Sequence, residues 1–352
     1  MPLYIKYPEW LKPEIFPGLP FRWYGLMYIV AFAVAYYFYR KQVRERGYPL
    51  SEDNLTSLFF WGILGLILGA RLFSVIIYES SRIYQREPWL VFWPFRNGRF
   101  TGLQGMSYHG GVIGCISGFL LWSIVKKHDV RDIADMFGGS IPAGYTFGRI
   151  GNFINAELYG RATVSPAGML FPHAETLPLS QDWVAKIAEQ TGITVSGQTM
   201  MVNLPRHPSQ LYEAFFEGIF LWAVIWLIRK KSPFKGFCAG LYIAGYGLIR
   251  FVIEYFRQPD SDLGYRIQFA PNDLPLAYAH PLTSLSTGQL LCLGMVAAGG
   301  LIWFVSARVP GSAFSYVLKP PVEGSTAPES AAAGGTGNAL RNKRKNQRKK
   351  LK

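Results

Sequence analysis

Apolar residues along this chain gather into blocks instead of spreading evenly, and polar residues fill the gaps between them. Seven blocks reach or approach the length needed to cross about 30 Å of hydrocarbon. They are Trp23–Tyr39, Leu58–Tyr78, Gly110–Val125, Ala134–Ile150, Leu211–Ile228, Gly236–Phe256 and Gly288–Val305. The fourth is the poorest, because of its glycines and Pro142. Such residues are tolerated in a span when neighbouring helices re-satisfy the backbone. The pattern predicts an all-α integral membrane protein with seven transmembrane helices. Residues 23–307 are expected to form its membrane domain.

The longer connections are an N-terminal arm (1–22) and the loops 79–108, 161–208 and 257–285. Their Trp, Tyr, Phe and Pro content suits material lying at a membrane interface. Within 161–208, Gln181–Gln190 reads as a short amphipathic helix, giving a small outer head. From about Lys319 the composition turns to Pro, Glu, Ser, Ala and Gly, then to eight Lys/Arg between Arg341 and Lys352. Residues 308–352 are therefore expected to be a disordered basic cytoplasmic tail. Pro2–Pro20 has no apolar core ending in small residues, so the first span is expected to remain in the mature protein.

Composition agrees: the 352 residues are 50% hydrophobic and 16% charged, against about a quarter charged in soluble domains. Basic residues set the orientation. Arg40, Lys41, Arg44 and Arg46 follow the first span, Lys126, Lys127 and Arg131 the third, and Arg229, Lys230, Lys231 and Lys235 the fifth. These dense clusters and the tail share one side if the N-terminus is outside and the C-terminus inside. Arg82, Arg86, Arg96 and Arg99 in the loop after the second span run against this, more thinly spread. Much of the +14 net charge then lies where anionic membrane lipids attract it. Binding of nucleic acid is not expected. Cys115, Cys238 and Cys292 sit in apolar spans without motif spacing and read as small buried hydrophobes.

The run Phe147–Arg161 (FGRIGNFINAELYGR) sets two arginines, two asparagines and a glutamate among membrane-like segments. Polar groups there are costly and mark function by default. With the topology above, Tyr24, Arg71, His109, Arg149, Asn152, Asn155, Glu157, His207, Gln210, Tyr246, Arg250 and Glu254 fall at one outer depth, from five or six separate segments. Tyr246, Arg250 and Glu254 share a helix face at four-residue steps. Each has a plainer reading: Arg250–Glu254 as an intrahelical ion pair, Arg71 as a snorkelling side chain, His109 before Gly110–Gly111 as a turn residue. Asn152, Asn155 and Glu157 alternatively serve a helix end, and the tyrosines anchor the interface. Taken together, paired guanidiniums at headgroup depth suit a phosphodiester, and a near-neutral histidine suits proton removal. Gly148, Gly151 and Gly160 permit close approach to a ligand. No carboxylate-rich metal motif is present in the sequence; no metal or cofactor is expected. A transporter or flippase would instead show polar groups at the midplane and repeat symmetry. An alcohol-phosphate transferase would need clustered aspartates at the inner face.

FGRIGNFINAELYGR resembles the signature of the bacterial phosphatidylglycerol–prolipoprotein diacylglyceryl transferases. WYGLMY (23–28), GARL (69–72), YHGGVIG (108–114), RHPSQLYE (206–213) and YGLIRFVIEYFRQP (246–259) look like further blocks of that family, in its order. The likeness runs from about residue 20 to 305, is weak over 161–208 and leaves out the tail. It implies an enzyme of the bacterial cytoplasmic membrane, its site facing outward. That enzyme moves the diacylglyceryl group of phosphatidylglycerol to the lipobox cysteine of a prolipoprotein signal peptide, forms a thioether and releases glycerol 1-phosphate. By the same resemblance His109, Arg149 and Arg250 are catalytic. Tyr24, Asn152, Glu157, Gly160, Tyr246 and Glu254 occupy positions tied to function.

Overall fold

The computed structural model describes residues 3–313 other than 17, 19–20, 80–82, 97, 101–104, 196–199, 259–264, 269–274, 276, 279–280, 283 and 312. Most of the expected disordered tail, with the basic cluster Arg341–Lys352, lies outside the described residues. The chain is mostly helical. Helix α1 spans Trp23–Arg46, α2 Glu52–Phe73, α3 Tyr108–Val125, α4 Val130–Gly138, α5 Ile141–Ile154, α6 Asp182–Thr191, α7 Ser209–Lys231, α8 Phe237–Ile253 and α9 Thr287–Ser306. Four helical stretches are long and apolar enough to cross a membrane: Glu52–Tyr78, which extends α2 by a π-helical turn, and α3, α7 and α9. Their apolar side chains face outward, with Leu227 77% and Val125 74% exposed. A water-facing surface would not be so continuously apolar.

The other expected spans take different forms. The first is a 24-residue helix and the sixth a 17-residue one. The fourth is broken into α4 and α5 at Gly139–Ser140. Pro142 explains the restart, since a residue without an amide proton fits the first turn of a helix and not its middle. The freed Met136 carbonyl accepts from Gln42 Nε2 at 2.8 Å and Ser140 Oγ at 2.6 Å.

Glycines decide how α2 meets α3. A Cβ on Gly65 would lie 2.3 Å from the Gly114 carbonyl oxygen, and one on Gly69 2.3 Å from that of Gly110. Only bare backbones allow helices this close, the small-residue packing that replaces hydrophobic drive inside lipid. At the end of the bundle where α4 meets the start of α8, Asp135 accepts from the amides of Gly236 (2.8 Å) and Ala239 (2.9 Å). These are amides that the helix itself leaves unpaired. Beside it, Lys235 Nζ stands 2.7 Å from Asp132 and 3.2 Å from Asp129.

The opposite end carries the small head. Strand β1 (Ile5–Lys6) of the arm pairs in parallel with β4 (Met169–Leu170), after the hairpin β2 (Phe95–Arg96) and β3 (Arg99–Phe100). Strands β5 (Leu177–Pro178) and β6 (Met201–Val202) pair antiparallel, as do β7 (Tyr265–Gln268) and β8 (Ser284–Ser286). The amphipathic helix expected near 181–190 is α6. It buries Val184, Ile187 and Ala188 against Leu177, Val202 and Leu204. Tyr7 fixes the arm: it is buried with Met169 and Phe171, and its hydroxyl donates to the carbonyls of Phe153 and Ile154 at 3.0 Å each.

Candidate functional site

Three helices bring charge together beneath the head. From α5, Arg149 Nη1 stands 2.9 Å from Glu213 Oε2 on α7. From α8, Arg250 Nη1 stands 2.9 Å from Glu213 Oε1. One carboxylate with a side chain 1% exposed thus ties two guanidiniums from different helices. Glu217, one turn on, lies 3.6 Å from Arg250 and accepts from the Tyr145 hydroxyl. Tyr145 in turn accepts from Arg149 Nε at 2.6 Å and pairs with the Tyr246 hydroxyl at 3.4 Å. Arg250 Nη2 donates to Glu254 at 3.3 Å, and Ser286 Oγ holds the other oxygen of Glu254 at 3.2 Å. Glu213 and Glu217 lie on a π-helical stretch, Glu213–Phe220. That wider winding is frequent at functional sites.

A second group extends the cluster toward the head. Asn152 Oδ1 lies 3.5 Å from Arg149 Nη1, while Asn152 Nδ2 donates to Glu157 at 2.9 Å and Asn155 Nδ2 at 3.4 Å. The chain turns sharply here: Ala156 (φ 54°) and Leu158 (φ 55°) are both left-handed without being glycine. Such conformations persist only when surroundings hold them. Gln210 Nε2 on the Glu157 carbonyl (2.6 Å) and Ser209 Oγ on that of Leu158 (3.1 Å) do so. The turn points Glu157 back at the asparagines.

Not every expected residue joins this cluster. Arg71 is buried, and its guanidinium donates to the carbonyls of Leu90 and Gly105 (3.1 Å each) and to the Tyr84 hydroxyl (3.1 Å). It thereby ties down the loop after α2. Gly160 and Gly151 approach protein: a Cβ on Gly160 would meet the Phe256 carbonyl at 2.3 Å, and one on Gly151 would meet Met27 at 3.2 Å. Gly148 faces open space. His207 packs its ring against Phe256, and burial pushes its pKa down to about 4, so it is neutral at pH 7. His109 is exposed in the first turn of α3. Tyr24 pairs with Tyr28 at 3.0 Å.

Glu213, Glu217, Tyr145 and Tyr28 were not among the residues the sequence pointed to. The signal was available: Glu213 ends the block RHPSQLYE, and Glu217 follows at a helical step within an apolar span.

A family model described as prolipoprotein diacylglyceryl transferase matches residues 13–305. The chain belongs to this family. It is 51% identical over 315 residues to the phosphatidylglycerol–prolipoprotein diacylglyceryl transferase of Treponema denticola, covering 85% of this chain and 93% of that protein. The protein of the same name from Treponema pallidum is 50% identical over 311 residues, 84% of this chain and 93% of its own. That of Chlorobaculum tepidum is 38% identical over 304 residues, 84% and 91% respectively. The matched residues take in α1–α8 and all of α9 but Ser306, and so every charged side chain of the cluster.

Proposed function

We propose that this chain transfers the diacylglyceryl group of phosphatidylglycerol to a prolipoprotein, the reaction stated in the names of its relatives. The observation that carries the reading at the level of chemistry is the pairing of Arg149 and Arg250 through Glu213, 2.9 Å from each. Glu213 spaces two permanently charged forks whose other N–H groups receive the phosphodiester. Nη2 of Arg149 has no partner among the described residues, and the adjoining Gly148 leaves its side of α5 open. Glu254 and Tyr145 orient the two arginines.

In the reaction, the acceptor cysteine loses its thiol proton to His109, directly or through one water, because the thiolate is the competent nucleophile. Sulfur attacks the glycerol carbon that bears the phosphate ester. The S–C bond forms as the C–O bond breaks, and glycerol 1-phosphate leaves with the electron pair. Charge grows on the departing phosphate, where pre-placed guanidiniums stabilise it more than in the ground state. All seven helical segments span the bacterial cytoplasmic membrane in this reading, N-terminus outside and C-terminus inside. The head then faces the periplasmic side, above an outer-leaflet lipid. The acceptor is the lipobox cysteine of a signal peptide.

The test is direct. Purified protein in vesicles of labelled phosphatidylglycerol is given a lipobox peptide, and products are weighed by mass spectrometry. The expected result is a peptide heavier by one diacylglyceryl group, with free glycerol phosphate. An unchanged peptide alongside lipid moved between leaflets would replace the transferase with a flippase.

A further inference from the structure

Between the arm and the head lies a half-enclosed cavity of about 260 Å³ that the arginine cluster does not use. Pro8, Leu11 and Pro13 of the arm form one wall and Pro172 of the head another. Its floor is Ile154 and Ala156, the end of α5 and the turn after it. The same turn carries Asn155 and Glu157. We propose that this cavity holds the acceptor polypeptide just past its reacting cysteine. The assignment rests on the transferase reading above and names a subsite for its second substrate.

Path length is the first support. A helix rises 1.5 Å per residue, so Ile154 lies about 7–8 Å along α5 from Arg149. An extended chain covers that in about two to three residues. The five residues from Arg149 to Ile154 also turn about 140° around a helix about 10 Å across. A polypeptide whose sulfur meets a lipid held at Arg149 therefore passes round α5 and brings roughly its fourth to sixth following residues to the cavity.

The walls fit that occupant. Proline rings beside Leu11 give a rigid apolar wall against which an extended segment with small side chains can lie. Exposed Glu9, Lys12 and His173 on the lining offer hydrogen bonds to a passing backbone. An acyl chain has no use for them. At about 260 Å³ the cavity is also below the usual range for sites that enclose a whole drug-sized ligand.

The arm supplies a continuation. Through β1 and the residues flanking it, the amides of Leu3, Ile5 and Tyr7 donate to the carbonyls of Thr191, Gly168 and Leu170. The alternate amides of Tyr4 and Lys6 point the other way and have no backbone partner among the described residues. That is an open strand edge, a natural rail for a further extended chain. It leads directly into the cavity lining that begins at Tyr7.

The experiment compares two acceptors. One peptide ends one residue after the lipobox cysteine; the other carries six more residues. Pro172→Trp and His173→Trp narrow the cavity without touching the arginine cluster. The expected result is a KM about tenfold higher for the longer peptide, equivalent to roughly 1.4 kcal/mol. The short peptide and kcat stay unchanged. A photoreactive phenylalanine analogue in place of His173 should crosslink to the longer peptide within its added residues. Equal change for both peptides, change for neither, or a raised KM for phosphatidylglycerol alone would overturn the assignment; the last outcome would give the cavity to lipid. Failure of the unsubstituted protein to modify even the short peptide would instead overturn the transferase reading.

Discussion

The bundle carries charge at both ends, and the two clusters are built on different plans. Away from the head, each acid completes the architecture: Asp135 closes the start of α8, and Asp129 and Asp132 share Lys235. Beneath the head, Glu213 closes no helix end. It places both oxygens on guanidiniums from two other helices, with Glu217 and Glu254 as flanking acids. Replacing a buried ion pair by apolar side chains is often neutral or stabilising, so such a cluster is weak evidence for a stabilising role. Asp135 thus ends on backbone amides of a helix start, whereas Glu213 ends on two guanidiniums from separate helices.

Substitutions at the two ends should separate stability from turnover. The largest effect is expected for Arg250→Lys, which keeps the charge but loses the fork. Diacylglyceryl transfer should fall on the order of a hundredfold or more, with the fold intact by thermal unfolding. A normal rate would reduce Arg250 to a counter-ion. Next comes Glu213→Gln, which frees the two guanidiniums from their shared carboxylate. Turnover should drop on the order of ten- to a hundredfold from misplacement, and rescue by Glu213→Asp would show that charge and not shape matters. At the other end, Asp135→Ala should cost about 2 kcal/mol of stability, read as a lower Tm in detergent. Turnover per folded molecule should not change; a proportional loss of turnover would erase the distinction between the ends.

The smallest effect concerns acid. His207 at the head is held neutral, its folded pKa about 4 against the usual 6.5. Its unfolded form takes up protons first, so head stability is full above pH 6.5 and declines as pH falls toward 4. Burial alone would raise the pKa of Asp129, but hydrogen bonds from Arg131 and Lys235 bring it down to about 2. The stability it contributes is present above its usual 3.8 and is lost as pH falls toward 2. The opposite end holds a second histidine, His128, whose pKa burial also lowers, so both ends loosen as pH falls. His207→Gln should flatten the change in amide exchange between about pH 7 and 4.5 in the head alone; a head response left unchanged would deny His207 that part.

Much of this was legible in the sequence. Arg250 and Glu254 meet because a helix sets residues four apart on one face, and α6 forms where its apolar spacing said it would. The fourth span, expected to run through its glycines and Pro142, is instead broken at Gly139–Ser140. What was not legible were relations between distant segments. Glu213 lies 64 residues beyond Arg149 and 37 before Arg250, and no local pattern couples them. Its π-helical setting also shifts the facing of side chains away from the ordinary 3.6-residue step. Arg71 shows the converse. A buried arginine draws attention in a membrane segment, yet its donors go to the carbonyls of its own following loop. Gly160 likewise reads as room for a ligand and turns out to be room for Phe256.

The glycine contact between α2 and α3 bears on traffic. With a Cβ excluded by a carbonyl oxygen 2.3 Å away at Gly65 and again at Gly69, no hydrocarbon tail can slip between these two helices. One flank of the barrel of helices is therefore a closed wall. Incoming donor and outgoing lipidated product must use doorways elsewhere around the perimeter, and widening this seam would not open another.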